Sequence, residues 1–596
     1  MVSKKRRALD KLKQDWYVLN SQHQQAQHHR AEERELYYKH SCFTRTSAGN
    51  ITSATEFFVA EHALSSVVSH PPSGSDITME DFSFNSYGRS DTELQDYDTV
   101  DPAYESFLKE SSVGPKKPLR PAGDHAMTLW LHERETYLLE LIRLEGRGDY
   151  AFRETCQGHN ECMYEPVYRC QDCFGTELYC QECTVNRHRE NPLHKIEFWN
   201  GSFFEDTTLK SLGLQVQLGH PVGKRCFNHS RAYDDDFVIL DINGIHELAL
   251  DFCSCESALS HVKQLLRARW YPATSADLKS AATFHLLQNF HMLMFESKVS
   301  AFEYWQTLAR LTDNTGIKPC KDHYDSLLRM IKQWRNLKLL KRFGRGHDPA
   351  GIKATEQGVC TVVCPACPHP GKNLPEDWNV ALPDKRWLYA QFLAIDTNFR
   401  LACKNVSSDR IDPGLSRGWS YFVEEKGFKE FLADVGKVPQ EKSACASHNA
   451  VNLAETKNSR GLAATGAGTV DCSRHNFKRP CGVGDLQRGE RYINMDYLFF
   501  STMQHSKDVL VLNVSYDITC QWSKNLWGQM SNYPSRVHFA RDGKILTFLI
   551  PKFHLPAHIT ACQITFSHNF IKGMGRTDGE APERGWANIN PVATST

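Results

Sequence analysis

LYAQFLAIDTNF (residues 388–399), VLVLNVSYDITCQW (509–522) and GMGRTDGEAPERGWA (573–587) decide the fold. The first two are short apolar runs that end on aspartates, Asp396 and Asp517, before the chain turns polar. Runs of that length and composition read as buried strands, and ILTFLIPKF (545–553) adds a third. Strands alternating with helical segments predict an α/β sheet with both aspartates at strand ends. In the third stretch Asp578 or Gly579 can cap a helix carrying Glu580 and Glu583, which lie three apart on one face. Hard divalent cations prefer oxygen ligands, and a pair of them clamps attacking and leaving oxygens in phosphoryl transfer. Acids drawn from two strands and a helix are therefore candidate catalytic residues: Asp396, Asp517, Glu583 and Glu580.

Between the first two strands, residues 440–490 are rich in Gly, Asn and Ser. The stretch is too long for an ordinary connection and reads as an insertion or functional loop. Upstream, residues 257–345 read as helices, among them ALSHVKQLLRARW (258–270) and YDSLLRMIKQWRNLKLLKRFGRG (324–346). In the second of these, Arg329, Lys332, Arg335, Lys338, Lys341 and Arg342, with Arg345 beyond, trace a slanted ridge suited to a phosphate backbone. A solvated helix face is the plainer account of such charges.

The strongest local signal lies further upstream. Cys156, His159, Cys162, Cys170, Cys173, Cys180, Cys183, His188 and His194 fall within 39 residues, and two tetrahedral Zn²⁺ sites need eight ligands. The spacing resembles the cross-braced B-box type of zinc module, in which alternate ligand pairs share a metal. On that analogy Cys156, His159 or Cys162, Cys180 and Cys183 hold one ion, and Cys170, Cys173, His188 and His194 the other. Such sites are closed, so their role is folding and recognition. Cys226, Cys253 and Cys255 with His246 form a weaker set. Cys360, Cys364 and Cys367 in GVCTVVCPACPHPGKNLP (358–375) resemble a zinc knuckle that His369 or a distant residue completes.

The chain has 596 residues, with 70 Lys+Arg against 70 Asp+Glu, so net charge points to no partner. The length allows several domains. Mean hydropathy is −0.49, and no run reaches the ~18 apolar residues of a membrane span, which excludes a membrane protein. No secretory signal follows the basic start, so the 20 cysteines read as thiols and metal ligands of an intracellular protein. Residues 1–30 hold seven Lys/Arg and two Asp, and residues 71–113 hold ten Asp/Glu and two Lys/Arg. Blocks of charge with little to bury predict a flexible tail. Lys4-Lys5-Arg6-Arg7 is a candidate nuclear import signal. Order is expected from about Met127, where TLWLHERETYLLELIRLEGRGD (128–149) reads as an amphipathic helix.

Several long motifs are recognisable together. IDTNFRL (395–401), DPGLSRGWSYFV (412–423), CSRHNF (472–477), GVGDLQRGERYINMDY (482–497), SYDITCQWSKNL (515–526), IPKFHLPAHITACQ (550–563) and GRTDGEAPERGWANIN (575–590) resemble the Kyakuja-Dileera-Zisupton (KDZ) transposases abundant in fungi. LGLQVQLGHPVG (212–223), DFVILDINGIHELALDFCSC (236–255), ARWYPATSADLKSAATF (268–284) and LTDNTG (311–316) are similar to the CxC-type cysteine-cluster domain that accompanies them. The resemblance implies an RNase H-like DDE transposase that cuts and rejoins DNA at transposon ends in the nucleus. Its acidic triad falls on Asp396, Asp517 and Glu583, with Glu580 as the close alternative, binding catalytic Mg²⁺ or Mn²⁺ beside about two structural zinc ions. Arg474, His475 and Arg491 become candidate contacts to scissile DNA.

The expected architecture is an α+β multidomain protein. It comprises a disordered polar tail (1–125), a cysteine-cluster zinc-binding domain with a B-box-like module (126–260), a helical region with a zinc-knuckle-like segment (261–385) and an RNase H-like α/β core (386–596). Only 13 residues follow Glu583, whereas the family continues further, so the core reads as C-terminally truncated. The alternatives are a catalytically dead, zinc-dependent DNA- or protein-binding nuclear protein, and a B-box scaffold for protein partners. A homo-oligomer is compatible with either function.

Overall fold

The computed structural model describes residues 37–45, 51–59, 126–158, 162–233, 236–317, 320–408, 410–435, 461–487 and 489–595. The chain divides into two units, residues 1–122 and 123–596. In the first, β1 (Tyr37–Arg45) and β2 (Ile51–Val59) pair as an antiparallel hairpin, Tyr37 opposite Val59. This hairpin lies inside the stretch read as a disordered tail. ITSATEFFV, rich in β-branched and aromatic residues, has the composition of a strand. The import-signal motif and the acidic block lie outside the described residues.

The second unit begins with α1 (Ala126–Glu145). None of its residues is buried, and its apolar side chains lie exposed around the helix instead of forming one stripe. A small antiparallel sheet follows, made of β3 (Tyr168–Cys170), β4 (Ile196–Trp199) and β5 (Phe204–Thr207), with α2 (Gln181–Arg187) between its first two strands.

A six-stranded sheet comes next: β6 (Gln215–Gln217), β7 (His229–Arg231), β8 (Phe237–Asp241), β9 (Gly244–Cys253), β10 (Trp270–Pro272) and β11 (Ser280–Thr283), with α3 (His261–Arg267) before β10. Helices α4 (Phe284–Ser297), α5 (Ala301–Thr312) and α6 (Tyr324–Arg342) pack on this sheet through Leu286, Phe290, Trp305, Leu308, Met330 and Ile331. The region is thus not purely helical. WYP and SAAT are too short for periodicity to reveal, yet both are fully buried strands.

The last sheet has the order β16-β15-β12-β17-β18. Its strands are β12 (Gln391–Asn398), β15 (Gly466–Cys472), β16 (Lys478–Leu486), β17 (Val511–Tyr516) and β18 (Ile545–Leu549); a short pair, β13 (Cys403–Lys404) and β14 (Leu462–Ala464), lies apart. β12 runs antiparallel to β15 and parallel to β17, and β17 is parallel to β18. α7 (Glu425–Val435) and α8 (Tyr492–Met503) bury Phe428, Phe431, Met495 and Leu498 in the largest apolar cluster, with Leu393, Val470 and Val514. The stretch 440–490, read as an insertion or functional loop, supplies two strands of this sheet. Its glycines hid them: β-carbons at Gly468 and Gly484 would press on Met495 and Leu498, so glycine here lets α8 approach. α9 (Thr519–Gln529), α10 (Thr560–Thr565) and α11 (Ala581–Ile589) complete the unit.

Candidate active site and metal centres

The register of two parallel strands builds the acidic site. Ile395 of β12 lies opposite Tyr516 of β17, so the next residues come side by side: Asp396, two residues before β12 ends at Asn398, and Asp517, just past the end of β17. Both are largely buried. Burial first, then the charges of Asp517, Glu583 and Glu490, push the Asp396 carboxyl well above the ordinary carboxylate range. Asp517 is pushed up to about 7, again mainly by burial, with Glu490, Glu580 and Glu583 adding to the effect and His554 opposing it. Glu490 is itself buried and accepts a hydrogen bond from the Tyr516 hydroxyl at 2.5 Å.

The third acid arrives on α11. Gly579, at φ +88°, seats the preceding loop against β17: a β-carbon there would collide with Ser515 Oγ and stand 2.9 Å from Pro551 Cα. Glu580, not Asp578 or Gly579, is the N-cap; its own amide donates to Asp578 Oδ1 at 3.0 Å. Glu580 Oε1 accepts from the Phe553 amide at 2.9 Å, so this carboxylate is committed to the chain. Glu583, one turn on, keeps a half-exposed side chain. His554 stands between two of the three acids that remain, with Nδ1 3.3 Å from Asp517 Oδ2 and Nε2 3.7 Å from Glu583 Oε1. Glu583 and Asp517 raise its imidazole to about 9, so it is a cation at neutral pH. Trp586 of α11 donates its indole N–H to Asp396 Oδ2 at 2.6 Å. Its ring carries the Lys478 ammonium 4.2 Å from the centroid, and Lys478 pairs at 2.8 Å with the buried Asp471. His554, Glu490 and Trp586 were not foreseen; no spacing in the sequence relates them to the acids.

Among the described residues, four clusters of four Cys and His donors, each with its ligand atoms within 4.8 Å of one another, lie elsewhere in the unit. In the first, Cys156, Cys162, Cys180 and Cys183 are buried together, with Cys162 Sγ 3.7 Å from Cys180 Sγ and 3.8 Å from Cys183 Sγ. That matches the edge of about 3.8 Å implied by a tetrahedron with ~2.3 Å Zn–S bonds. Cys162 thus occupies the position left open between it and His159, which lies outside the described residues. The second joins Cys170, Cys173, His188 and His194. His188 and His194 each place a nitrogen 3.4 Å from Cys173 Sγ, and His188 Nδ1 bonds the Thr184 carbonyl at 2.7 Å, leaving Nε2 for a metal.

The third cluster takes His220, not His246, with Cys226, Cys253 and Cys255. His246 instead bonds Asn243 Oδ1 at 2.7 Å in a site whose burial lowers its imidazole to about 4. The fourth takes Cys364, Cys367, Cys472 and His475. His475 is therefore drawn to thiols and not to the carboxylates. Cys360 packs apart from them against Leu340 and Trp419, and His369 spends Nε2 on the Cys364 carbonyl at 2.8 Å. A three-donor group, Cys520, His558 and Cys562, stands beside α9. Arg491 caps α8 next to Glu490, and Arg474 bonds Thr577.

Residues 389–596 match the family model of the Kyakuja-Dileera-Zisupton transposase, and residues 209–316 that of the CxC2 like cysteine cluster associated with KDZ transposases. Over these stretches the chain is similar to KDZ transposases. The KDZ match spans all four acids and His554, and the CxC2 match spans the His220 cluster. The two clusters between Cys156 and His194 precede both matched regions. No match was found among curated proteins, and none among solved structures. Among the described residues no helix is long and apolar enough to cross a membrane.

The basic ridge of α6 is only partly a ridge. Arg329, Lys332, Lys338, Lys341 and Arg342 are at least partly exposed. Arg335 turns inward to Met294 and toward the Phe290 ring, and burial lowers its guanidinium. Lys332 pairs with Asp412 and Arg329 donates to the Ala273 carbonyl at 3.1 Å.

Proposed function

We propose that the chain is a DNA transposase of the KDZ type, using Asp396, Asp517 and Glu583 in metal-dependent strand cleavage and transfer within an RNase H-like core. The observation that carries this reading is the adjacency of Asp396 and Asp517 on parallel strands, with Glu583 brought to them by α11. The sheet order, three antiparallel strands (β16, β15, β12) followed by β17 and β18 parallel to β12, supports the RNase H-like assignment. So does the fit to Mg²⁺ or Mn²⁺: the donors are hard carboxylate oxygens, partly buried, whose mutual repulsion a divalent cation would relieve. Bound there, such ions would activate water or a DNA 3′-hydroxyl and neutralise charge on the leaving oxygen.

The chain's own residues prepare that site. Trp586 fixes one oxygen of Asp396, and Lys478, held by Asp471, fixes Trp586. The commitment of Glu580 to the Phe553 amide favours Glu583 as the third acid. His554 holds a proton between Asp517 and Glu583, a placeholder charge that cations would displace. In this reading the two clusters between Cys156 and His194 hold structural zinc and serve end recognition, assembly with further copies or protein contacts. The exposed cations of α6 meet the DNA backbone, and the protein works in the nucleus.

The test is nicking of DNA bearing the element ends in the presence of Mn²⁺. Wild type should nick and Asp396→Ala should not; equal nicking by both would remove Asp396 from the chemistry. The second reading, a binding protein that no longer cuts, is favoured by one observation: His554 already balances Asp517 and Glu583 without any metal. Under that reading wild-type protein binds the ends but leaves them intact.

A further inference from the structure

The fourth cluster lies outside the acidic site, in a place where local spacing points to no complete ligand set. Cys364 and Cys367 belong to a loop before β12, whereas Cys472 ends β15 and His475 sits in the turn to β16. A Cys-x2-Cys pair and a Cys-x2-His pair thus meet across more than a hundred residues. Cys367 Sγ is 3.3 Å from Cys472 Sγ, Cys364 Sγ is 3.3 Å from His475 Nδ1, and Cys472 Sγ is 3.4 Å from the same nitrogen. All three sulfurs are buried, at 2, 4 and 1% exposure for Cys364, Cys367 and Cys472. Three thiolates with one imidazole make a closed tetrahedral donor set.

We propose that Cys364, Cys367, Cys472 and His475 bind one structural zinc ion, which pins the β15–β16 turn where it supports the acid-bearing helix. The contacts of that turn give the second half of the argument. Arg474 lies 3.5 Å over the Phe392 ring of β12, and its Nε donates to Thr577 Oγ1 at 3.1 Å, just before the Gly579–Glu580 loop. Asn476, at φ +56°, accepts from Arg584 Nε at 3.1 Å on α11 itself. Lys478, the first residue of β16, braces Trp586 over Asp396. Residues 474–478 therefore join the cluster to both Asp396 and Glu583. The metal site stands without the transposase reading; only its effect on DNA cleavage rests on that reading.

The experiment is zinc analysis of the full chain, purified under reducing conditions, with nicking measured in parallel. Cys472→Ser should carry one zinc equivalent less than wild type. His475→Cys, which keeps four donors, should retain the full count and, loaded with Co²⁺, show stronger thiolate-to-cobalt absorption than wild type. If Cys472→Ser does not fold, the His475→Cys spectrum decides alone: unchanged absorption overturns the site. A full zinc count in folded Cys472→Ser, or a Cys367–Cys472 disulfide found in wild type by peptide mapping, also overturns it. Loss of one zinc with nicking unchanged would overturn the positioning role. Wild-type protein that never nicks would strike the cleavage reading and leave the zinc count to judge the site.

Discussion

The cysteine clusters between Cys156 and His194 and the carboxylate site around Asp396 gather the same kind of object, several ionisable side chains at one point, by opposite means. The first draws ligands from 39 consecutive residues and has almost no apolar core of its own around Cys156, Cys162, Cys180 and Cys183, with only Tyr179 packed on them among the described residues. The second rests on a five-stranded sheet with a large apolar cluster and joins side chains 190 positions apart, as Trp586 and Asp396 are. In the first, a bound metal would substitute for a core. In the second, the core exists already and holds acids together against their repulsion.

The largest expected effect follows from that contrast. Cys183→Ser should unfold the segment around residues 156–199, because apparent zinc-binding free energies of ~10–16 kcal/mol in small zinc modules are folding free energy. Limited proteolysis should cut there while the KDZ-like region stays resistant. Asp396→Asn should do the reverse, leaving the fold intact and, without divalent ions at pH 8, raising the melting temperature by a few degrees, since a repelled buried carboxylate becomes a neutral amide. A fall in melting temperature with Asp396→Asn would mean that the acids are structural after all, and the contrast would fail.

Next in size is a pH effect confined to the carboxylate site. Asp517 has its folded value raised to about 7, so between about pH 4 and 7 the folded chain keeps a proton that the unfolded chain has released. Stability of the metal-free protein should therefore fall as pH rises through that window. His554, raised to about 9, contributes stability that is fully present below about pH 6.5 and lost as pH climbs through 9. Both slopes have the same sign, and Mn²⁺ should flatten them by taking over the role of the protons. Urea unfolding from pH 5 to 9, with and without Mn²⁺, measures this; a metal-independent slope would mean that the carboxylates hold no cation.

What the sequence made legible follows the same division. Ligand pairs two residues apart are visible because one turn presents both to one metal, which is why the Cys170–His194 group could be read in full. His220 and His475 could not, since His220 reaches Cys253 and Cys255, and His475 reaches Cys364 and Cys367, only in the folded chain. The strands bearing Asp396 and Asp517 were readable as apolar runs, whereas β15 and β16 were not, because they bury small and polar residues such as Gly468, Thr469 and Asp471. His554 is invisible for a further reason: a lone histidine after a strand has no partner until the fold supplies Asp517 and Glu583.

The smallest effect concerns α6, where periodicity placed six cations on one ridge but packing divides them. Lys338 and Lys341 reach solvent, and Arg335 lies against Met294 and Phe290. A guanidinium in that position stabilises through its buried stem more than through its charge. Replacing Lys338 and Lys341 by Gln should therefore lower the log–log salt slope of DNA binding by about 0.9 for each phosphate no longer neutralised, with melting temperature unchanged. Arg335→Gln should leave the slope alone and cost about 1 kcal/mol or more of stability, as surface charges seldom do. If Arg335→Gln alters the slope as Lys338→Gln does, the arginine swings outward to meet DNA, and the whole ridge is the contact surface.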